Sequence, residues 1–252
     1  MIKVGLIGFG KTGRIVAGEI IKDEAFNLSW VLRKTDREEG EYASHLLGFH
    51  NTQGKIASMS KIDPEDFFTE NRVDVIVDFS DYHTINLYDD LIKRHRLRLI
   101  SAISNYPAAE LAKIRSLSDH TAVLYSPNIT LGINFLLVIS EVLQKIVPWA
   151  DIEIIEQHFR DKPDVSGTAL KIADTLGLDK EKNVNSVRVG GIIGKHEVIF
   201  GLPNQTIRLI HETNNRAAFG QGILFGARYL VEKEKGFFNM EQIIKEKFLS
   251  SI

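Results

Sequence analysis

Short apolar runs alternate with stretches of helical periodicity through the first half of this chain, and that alternation leaves few folds open. Ile2 to Ile7 reads as a buried strand, Thr12 to Ile21 as a helix and Leu28 to Leu32 as a second strand. Val73 to Asp78 and Leu97 to Ala102 are strands on either side of a helix from Thr84 to Arg94. Pro107 to Leu117 is a helix with proline at an allowed first-turn position, followed by a strand from Ala122 to Tyr125. Strands this continuously apolar are buried on both faces, so the pattern predicts an α/β unit with a doubly wound parallel sheet.

The pattern changes in the second half. Leu131 to Val147 is a long helical run ended by Pro148, and Ile152 to Ile155 reads as a strand. A polar loop and a helix-like run from Leu170 to Leu176 lead into three consecutive strand-like runs, Ser186 to Val189, Glu197 to Phe200 and Thr206 to His211. Gly190-Gly191, Gly194 and Pro203-Asn204 punctuate them. Strands without helices between them imply a mixed, largely antiparallel sheet, and so a second, α+β domain. Arg216 to Val231 and Glu241 to Phe248 return to helix. The expected organisation is a first domain over 1–127, joined by the C-terminal helices of 217–252, and a second over 128–216.

Composition narrows the function classes. A net charge of −2 gives no broad attraction to nucleic acid, and the basic run Lys93 to Arg98 ends a helical pattern, where cations complement the helix dipole. With no cysteine, disulfides and thiolate chemistry are excluded. The chain enters its first strand without a charged leader and has no run long enough to span a bilayer, so a cytoplasmic protein is expected. Its eight histidines show no metal-ligand spacing, so no metal site is expected.

Gly8-Phe9-Gly10-Lys11-Thr12-Gly13 matches GxGxxG directly after the first strand, the dinucleotide fingerprint of a Rossmann-type sheet. Gly5, Gly10, Lys11 and Thr12 also fit the P-loop spacing GxxxxGK[ST], with Val75 to Asp78 resembling its magnesium-holding strand. The dinucleotide reading is favoured, because Gly5-Leu6-Ile7 continues the strand and Gly13 has no part in a P-loop. Arg33 and Lys34 follow the second strand, where NAD sites carry an acid; they are an exposed basic pair or the contacts of a 2′-phosphate. The latter makes NADPH the expected cofactor, with NADH possible. Asp78-Phe79-Ser80 and Ser101 to Asn105 lie just past strand ends, where ligands bind such sheets. Asp78 and Ser104 equally suit helix caps.

The densest polar segment is Glu156 to Ala169, EQHFRDKPDVSGTA. Polar groups this dense between two core elements usually form a binding loop. His158 is its single histidine, and an imidazole suits a general acid near neutral pH. Lys162 is a candidate anion clamp. Ser166, Gly167 and Thr168 precede a helix, so their N–H groups and hydroxyls can hold a carboxylate, or Ser166 or Thr168 simply caps that helix.

This segment resembles the substrate loop of the dihydrodipicolinate reductase family, E-x-H-H-x-x-K-x-D-A-P-S-G-T-A. GFGKTGR near the start, DFS at 78–80, SPNITLGIN at 126–134, SVRVGGIIGKHEVIFG at 186–201 and NRAAFGQG at 215–222 extend the resemblance over most of the chain. It implies hydride transfer from NAD(P)H to a cyclic imine with two carboxylates, in lysine and diaminopimelate biosynthesis, by a homotetramer. His158 would be the proton donor, and Lys162, Ser166, Gly167 and Thr168 would hold the carboxylates. Gly8 to Gly13 with Arg33 and Lys34 would hold the dinucleotide beside Phe79 and Ser80. Ser101, Ile103, Ser104, Ser126 and Asn128 would line the nicotinamide. Three departures stand out: Phe159 replaces the second histidine, the proline before Ser-Gly-Thr is missing, and Ser101-Ala102-Ile103-Ser104 replaces Gly-Thr-Thr-Gly. The alternatives are a related reductase for another imine or keto acid, and a non-catalytic dinucleotide-binding paralogue.

Overall fold

The computed structural model describes residues 1–251, which group into two compact units. The first comprises Met1–Thr130 and Phe219–Ile243, and the second Leu131–Ala218 with the segment from Ile244 onward, so the division falls within the last helix.

In the first unit the chain runs β1 (Ile2–Ile7), α1 (Lys11–Lys22), β2 (Phe26–Arg33), α2 (Ala43–Leu46), β3 (Lys55–Ser58), α3 (Pro64–Glu70) and β4 (Val75–Asp78). It continues through α4 (Ile85–His95), β5 (Arg98–Ser101), α5 (Ala108–Ser116), a 3-10 turn and β6 (Ala122–Tyr125). The strands form one seven-stranded sheet, completed by β11 (Gly236–Phe238), in the order β11-β6-β5-β4-β1-β2-β3, and every pairing is parallel. β3, β11, α2 and α3 are the elements that periodicity did not reveal; each is short, and the strands sit at the two sheet edges. Pro107 stands at the N-cap of α5, one residue before the helix, with ψ 157°.

Helix α1 forms because Gly13, Val16, Ala17, Ile20 and Ile21 recur at helical spacing and bury one face. Gly5 is glycine because the Trp30 ring lies over it: a Cβ there would come 2.1 Å from the indole. The indole N–H is satisfied by the Asn71 carbonyl at 2.8 Å. The basic run at the end of α4 is largely paired, Arg94 and His95 with Glu65 at 2.6 and 3.1 Å and Lys93 with Asp90 at 3.3 Å.

The second unit runs α6 (Leu131–Ile146), β7 (Asp151–His158), α7 (Gly167–Leu176), β8 (Val184–Arg188), β9 (Lys195–Leu202) and β10 (Gln205–Glu212). Its four-stranded sheet has the order β10-β9-β7-β8; β8 joins β7 in parallel and the other pairings are antiparallel. β9 and β10 are joined through Pro203-Asn204, with Asn204 in the left-handed φ of 65° that a tight turn of this order uses. The inner face of the sheet buries Ile152, Ile154, Val198 and Phe200 together with Leu136, Leu137, Ile172 and Ala173 of α6 and α7. Helix α8 (Ala218–Leu230) and the first residues of α9 (Met240–Leu249) belong with the first unit.

Candidate active site

In the first unit, the strand order reverses between β1 and β4: the chain moves from β1 out through β2 and β3 on one side, and from β4 through β5 and β6 on the other. Ligands of open parallel sheets bind in the crevice such a reversal leaves at the C-terminal strand ends. Gly8 turns the chain there with φ 95°, and a Cβ on it would lie 2.7 Å from the Phe79 backbone. A Cβ on Gly13 would lie 2.0 Å from the Gly8 carbonyl oxygen, so this glycine lets α1 pack onto the turn. Gly10 differs from both, since its Cβ would meet nothing within 4 Å. It is the N-cap of α1, and no side chain caps the helix there. Two glycines are therefore fixed by packing and the third leaves a helix N-terminus open, the cradle a pyrophosphate needs. The P-loop alternative fails because β1 runs unbroken through Gly5 to Ile7, leaving too few residues to wrap phosphates.

The other expected cofactor residues are distributed around this crevice. The Phe9 ring is buried beneath the Arg14 guanidinium at 4.4 Å, with that of Arg33 at 5.9 Å. Arg33 is not free: it is ion-paired with Glu38, which also accepts from Arg14 at 2.6 Å. Lys34 is exposed, 3.7 Å from Asp81. Lys11 and Thr12 open α1. Ile103 is half-buried in the loop after β5. Ser101 is buried with its hydroxyl 2.9 Å from that of Tyr106, and the Ser126 hydroxyl donates to the Asn128 carbonyl at 2.8 Å.

Neither Asp78 nor Ser104 caps a helix. Thr84 holds the N-cap position of α4 and Pro107 that of α5, while Ser104 is exposed in its loop. Asp78 is fully buried and accepts from the Ser80 N–H at 2.8 Å, the Ser80 hydroxyl at 2.5 Å and the Tyr88 hydroxyl. Burial raises its pKa to about 6 against the lowering effect of those donors. Its work is to shape the 78–80 turn that lies against Gly8.

In the second unit the polar segment is half strand. β7 extends to His158, so Ile152, Ile154, Glu156 and His158 alternate onto the buried inner face, and the loop proper begins at Phe159. Register brings their partners: Glu156 lies opposite Ser186 on β8 and His196 on β9, and His158 opposite Arg188. Glu156 is completely buried and accepts five bonds. They come from His158 Nδ1 at 2.5 Å, Ser186 Oγ at 2.7 Å, the Ser166 N–H at 3.1 Å and Arg188 at 2.6 and 2.9 Å. Burial pulls this carboxyl up, but the donors, led by Arg188, outweigh it and hold the pKa at about 2. A carboxylate on Nδ1 fixes the proton there and leaves Nε2 as the nitrogen open to chemistry. Nε2 points toward Gly194, where a Cβ would stand only 3.1 Å away.

The loop closes over the same pair. Arg188 also donates to the carbonyls of Lys162 at 3.1 Å and Asp164 at 2.9 Å. The Lys162 ammonium is half-buried and donates to the Asp164 carbonyl at 2.5 Å, using one of its three protons. Ser166 stands at the N-cap of α7, but its hydroxyl is 2.9 Å from His196 Nε2 and does not cap the helix. With its N–H on Glu156, Ser166 is a brace of the loop, which leaves Gly167 and Thr168 at the start of α7 as the expected carboxylate contacts. His196 meets His158 edge-on at 5.3 Å; burial, with the nearby charges of His158 and His211, pushes its pKa down to about 4. Phe159 is 40% exposed. Sequence reading assigned no role to Glu156, Arg188 or His196. Extending the period-two alternation of β7 and β9 by one residue would have placed Glu156 and His196 on the inner face. On β8 the alternation misleads, because Val187 and Val189 are the exposed residues and Arg188 turns inward to Glu156.

A Rossmann sheet with an open glycine turn in one unit, and an oriented imidazole near the start of a helix in the other, define an oxidoreductase dependent on a pyridine nucleotide. Residues 2–129 match the family described as dihydrodipicolinate reductase, N-terminus, and residues 132–244 match dihydrodipicolinate reductase, C-terminus. The chain belongs to the dihydrodipicolinate reductase family. It is 32% identical to the 4-hydroxy-tetrahydrodipicolinate reductase of Caldanaerobacter subterraneus subsp. tengcongensis over 70% of this chain and 79% of that one. It is 29% identical to that of Buchnera aphidicola subsp. Schizaphis graminum over 95% of both. The dipicolinate-bound dihydrodipicolinate reductase of Paenisporosarcina sp. TG-14 shares the fold with a TM-score of 0.79 at 22% identity, covering 96% of this chain and 99% of that one. Among the described residues no helix is long and apolar enough to cross a membrane.

Proposed function

We propose that this chain reduces dihydrodipicolinate, a cyclic unsaturated imine bearing two carboxylates, to tetrahydrodipicolinate in lysine and diaminopimelate biosynthesis. The observation that carries this reading is the His158 imidazole held through Nδ1 by the buried Glu156, on the same short segment as Lys162 and the start of α7. Bound reduced nicotinamide supplies the hydride. Lys162 attracts a substrate carboxylate as a point charge, and the first-turn N–H groups of α7 hold it with Gly167 and Thr168. His158 delivers a proton from Nε2 as electron density grows on the substrate ring. Glu156 stabilises the protonated imidazole and keeps its plane fixed, so both protonation states meet the substrate in one orientation.

NADPH is the preferred reductant in this reading, because Arg33, supported by Arg14, and Lys34 offer cations to a 2′-phosphate at the end of β2; NADH is accepted as well. A cytoplasmic homotetramer completes it, joined through the outer face of the second sheet, which presents Ile155, Ile199 and Ile210, the last 53% exposed. A second reading, reduction of a different cyclic imine, is favoured by Phe159 alone, an exposed apolar ring where the family's loop has a second histidine. Purified protein mixed with freshly generated dihydrodipicolinate and NADPH, followed by loss of reduced-cofactor absorbance, tests the assignment. Turnover supports it, while tight cofactor binding with no turnover contradicts it.

A further inference from the structure

The first unit carries a carboxylate in the place where its sequence reads as a phosphate site. Arg14, in the first turns of α1, donates to both oxygens of Glu38 at 2.6 Å, and Arg33, the last residue of β2, pairs with Glu38 as well. The Phe9 ring underlies the Arg14 and Arg33 guanidiniums, and Arg37 Nε lies 3.8 Å from the same carboxylate. Glu38 has φ 65°, a left-handed conformation that residues with a side chain rarely adopt, and from it the side chain reaches both arginines. Burial pulls its pKa up, but the Arg14 hydrogen bond and the charges of Arg14, Arg33 and Arg37 outweigh this and keep it ionised. Two guanidinium groups converging on one anion, Arg14 through Nη2 and Arg33 through Nη1, also suit a phosphate.

We infer that Glu38 is a tethered anion occupying the 2′-phosphate position of the cofactor site, and that it limits the chain's preference for NADPH over NADH. This rests on the reading above that the end of β2 receives the adenosine ribose. A ribose 2′-hydroxyl can donate to Glu38 with both arginines still in place. A 2′-phosphate must displace Glu38 from them or stand against a like charge. Glu38 is thus a specificity residue that lies five positions beyond the place where the second strand of such sheets carries its acid, which is why the basic pair alone reads as an open NADPH site.

The test is titration of the full chain with NADPH and, separately, NADH, read by the fluorescence of the reduced nicotinamide. Glu38→Gln keeps the volume and removes the charge. Glu38→Gly removes the side chain and suits the left-handed backbone, so it keeps the loop folded if the amide disturbs it. Both variants are expected to bind NADPH about tenfold more tightly, the scale of one charge-assisted contact exchanged, with NADH unchanged or weakened. Unchanged NADPH affinity in both variants, or equal shifts for the two nucleotides, overturns the inference and leaves the dinucleotide site standing. Binding of neither nucleotide by the unaltered chain overturns the site and the inference together.

Discussion

Glu156 and His158, two residues apart on β7, are joined by a 2.5 Å contact between Oε2 and Nδ1 on the buried face of the sheet. Strand alternation puts both side chains on one face, and Arg188 from the neighbouring strand keeps the carboxylate ionised there. Glu156→Gln replaces the anion with a neutral amide, so the protonated imidazole loses its partner and Arg188 its counter-charge. We expect kcat to fall on the order of 10–100-fold, by analogy with other general-acid systems, with a smaller change in KM. Steady-state kinetics across pH read this directly; an unchanged kcat would remove Glu156 from the mechanism.

The buried histidine beside this pair predicts an acid-side loss of stability. The His196 pKa is lowered to about 4, so folded protein refuses a proton that the unfolded chain accepts near pH 6.5. Its contribution is fully present above pH 6.5 and is lost as pH falls toward 4, on the order of 3 kcal/mol in all. Glu156, held at about 2, adds a further loss between its ordinary range and that value. Asp78, raised to about 6, works in the opposite sense, its contribution being lost as pH rises from the ordinary carboxyl range through that value. The clean measurement is therefore a difference. Urea unfolding at pH 5 and pH 7 should show a smaller pH dependence for His196→Asn than for the unaltered chain.

The glycine turn predicts a separation of folding from binding. Gly13→Ala would drive a Cβ to 2.0 Å from the Gly8 carbonyl, and is expected to destabilise the protein by roughly 1–3 kcal/mol while disturbing the turn. Gly10→Ala meets no protein atom within 4 Å, so thermal stability should stay near that of the unaltered chain while dinucleotide affinity falls. Melting curves and cofactor titration on the two variants distinguish them; equal cofactor affinity in Gly10→Ala would contradict the pyrophosphate cradle.

Lys162→Ala should raise substrate KM by about tenfold or more, the scale of losing one hydrogen bond to a charged group, and leave cofactor affinity unchanged. Unaltered kinetics would count against the clamp.

The outer face of the second sheet predicts the assembly. Ile199→Asp combined with Ile210→Asp puts charges where the proposed tetramer buries apolar surface. Light scattering after size exclusion should show the 28.4 kDa chain as a tetramer before the change and as smaller species after it. A chain that is monomeric from the start would contradict the proposal.

The long apolar strands and the amphipathic helices were legible because their periodicity reports burial. β3, β11, α2 and α3 were not: β11 and α2 are three and four residues long, α3 buries Phe68 alone, and the edge strand β3, Lys-Ile-Ala-Ser, lacks the continuous apolar run of the central strands. The glycine fingerprint was legible because Gly8 and Gly13 answer to steric facts local to the turn. The site's electrostatics were legible only in part. Glu156 and His158 were visible as polar residues, but that they end a buried strand, and that Arg188 and His196 stand opposite them, is set by register between distant segments. The same holds for Glu38, whose pairing with Arg14 and Arg33 depends on a left-handed turn that no local pattern announces.

The central claim is that His158 supplies the proton for reduction of dihydrodipicolinate, and His158→Gln tests it most directly. The measurement is turnover of freshly generated dihydrodipicolinate with NADPH, together with cofactor affinity, for the unaltered chain and the variant. The account predicts turnover in the former, a loss of at least about a hundredfold in the latter, and equal affinity for the cofactor. A variant that turns over at the unaltered rate would contradict it.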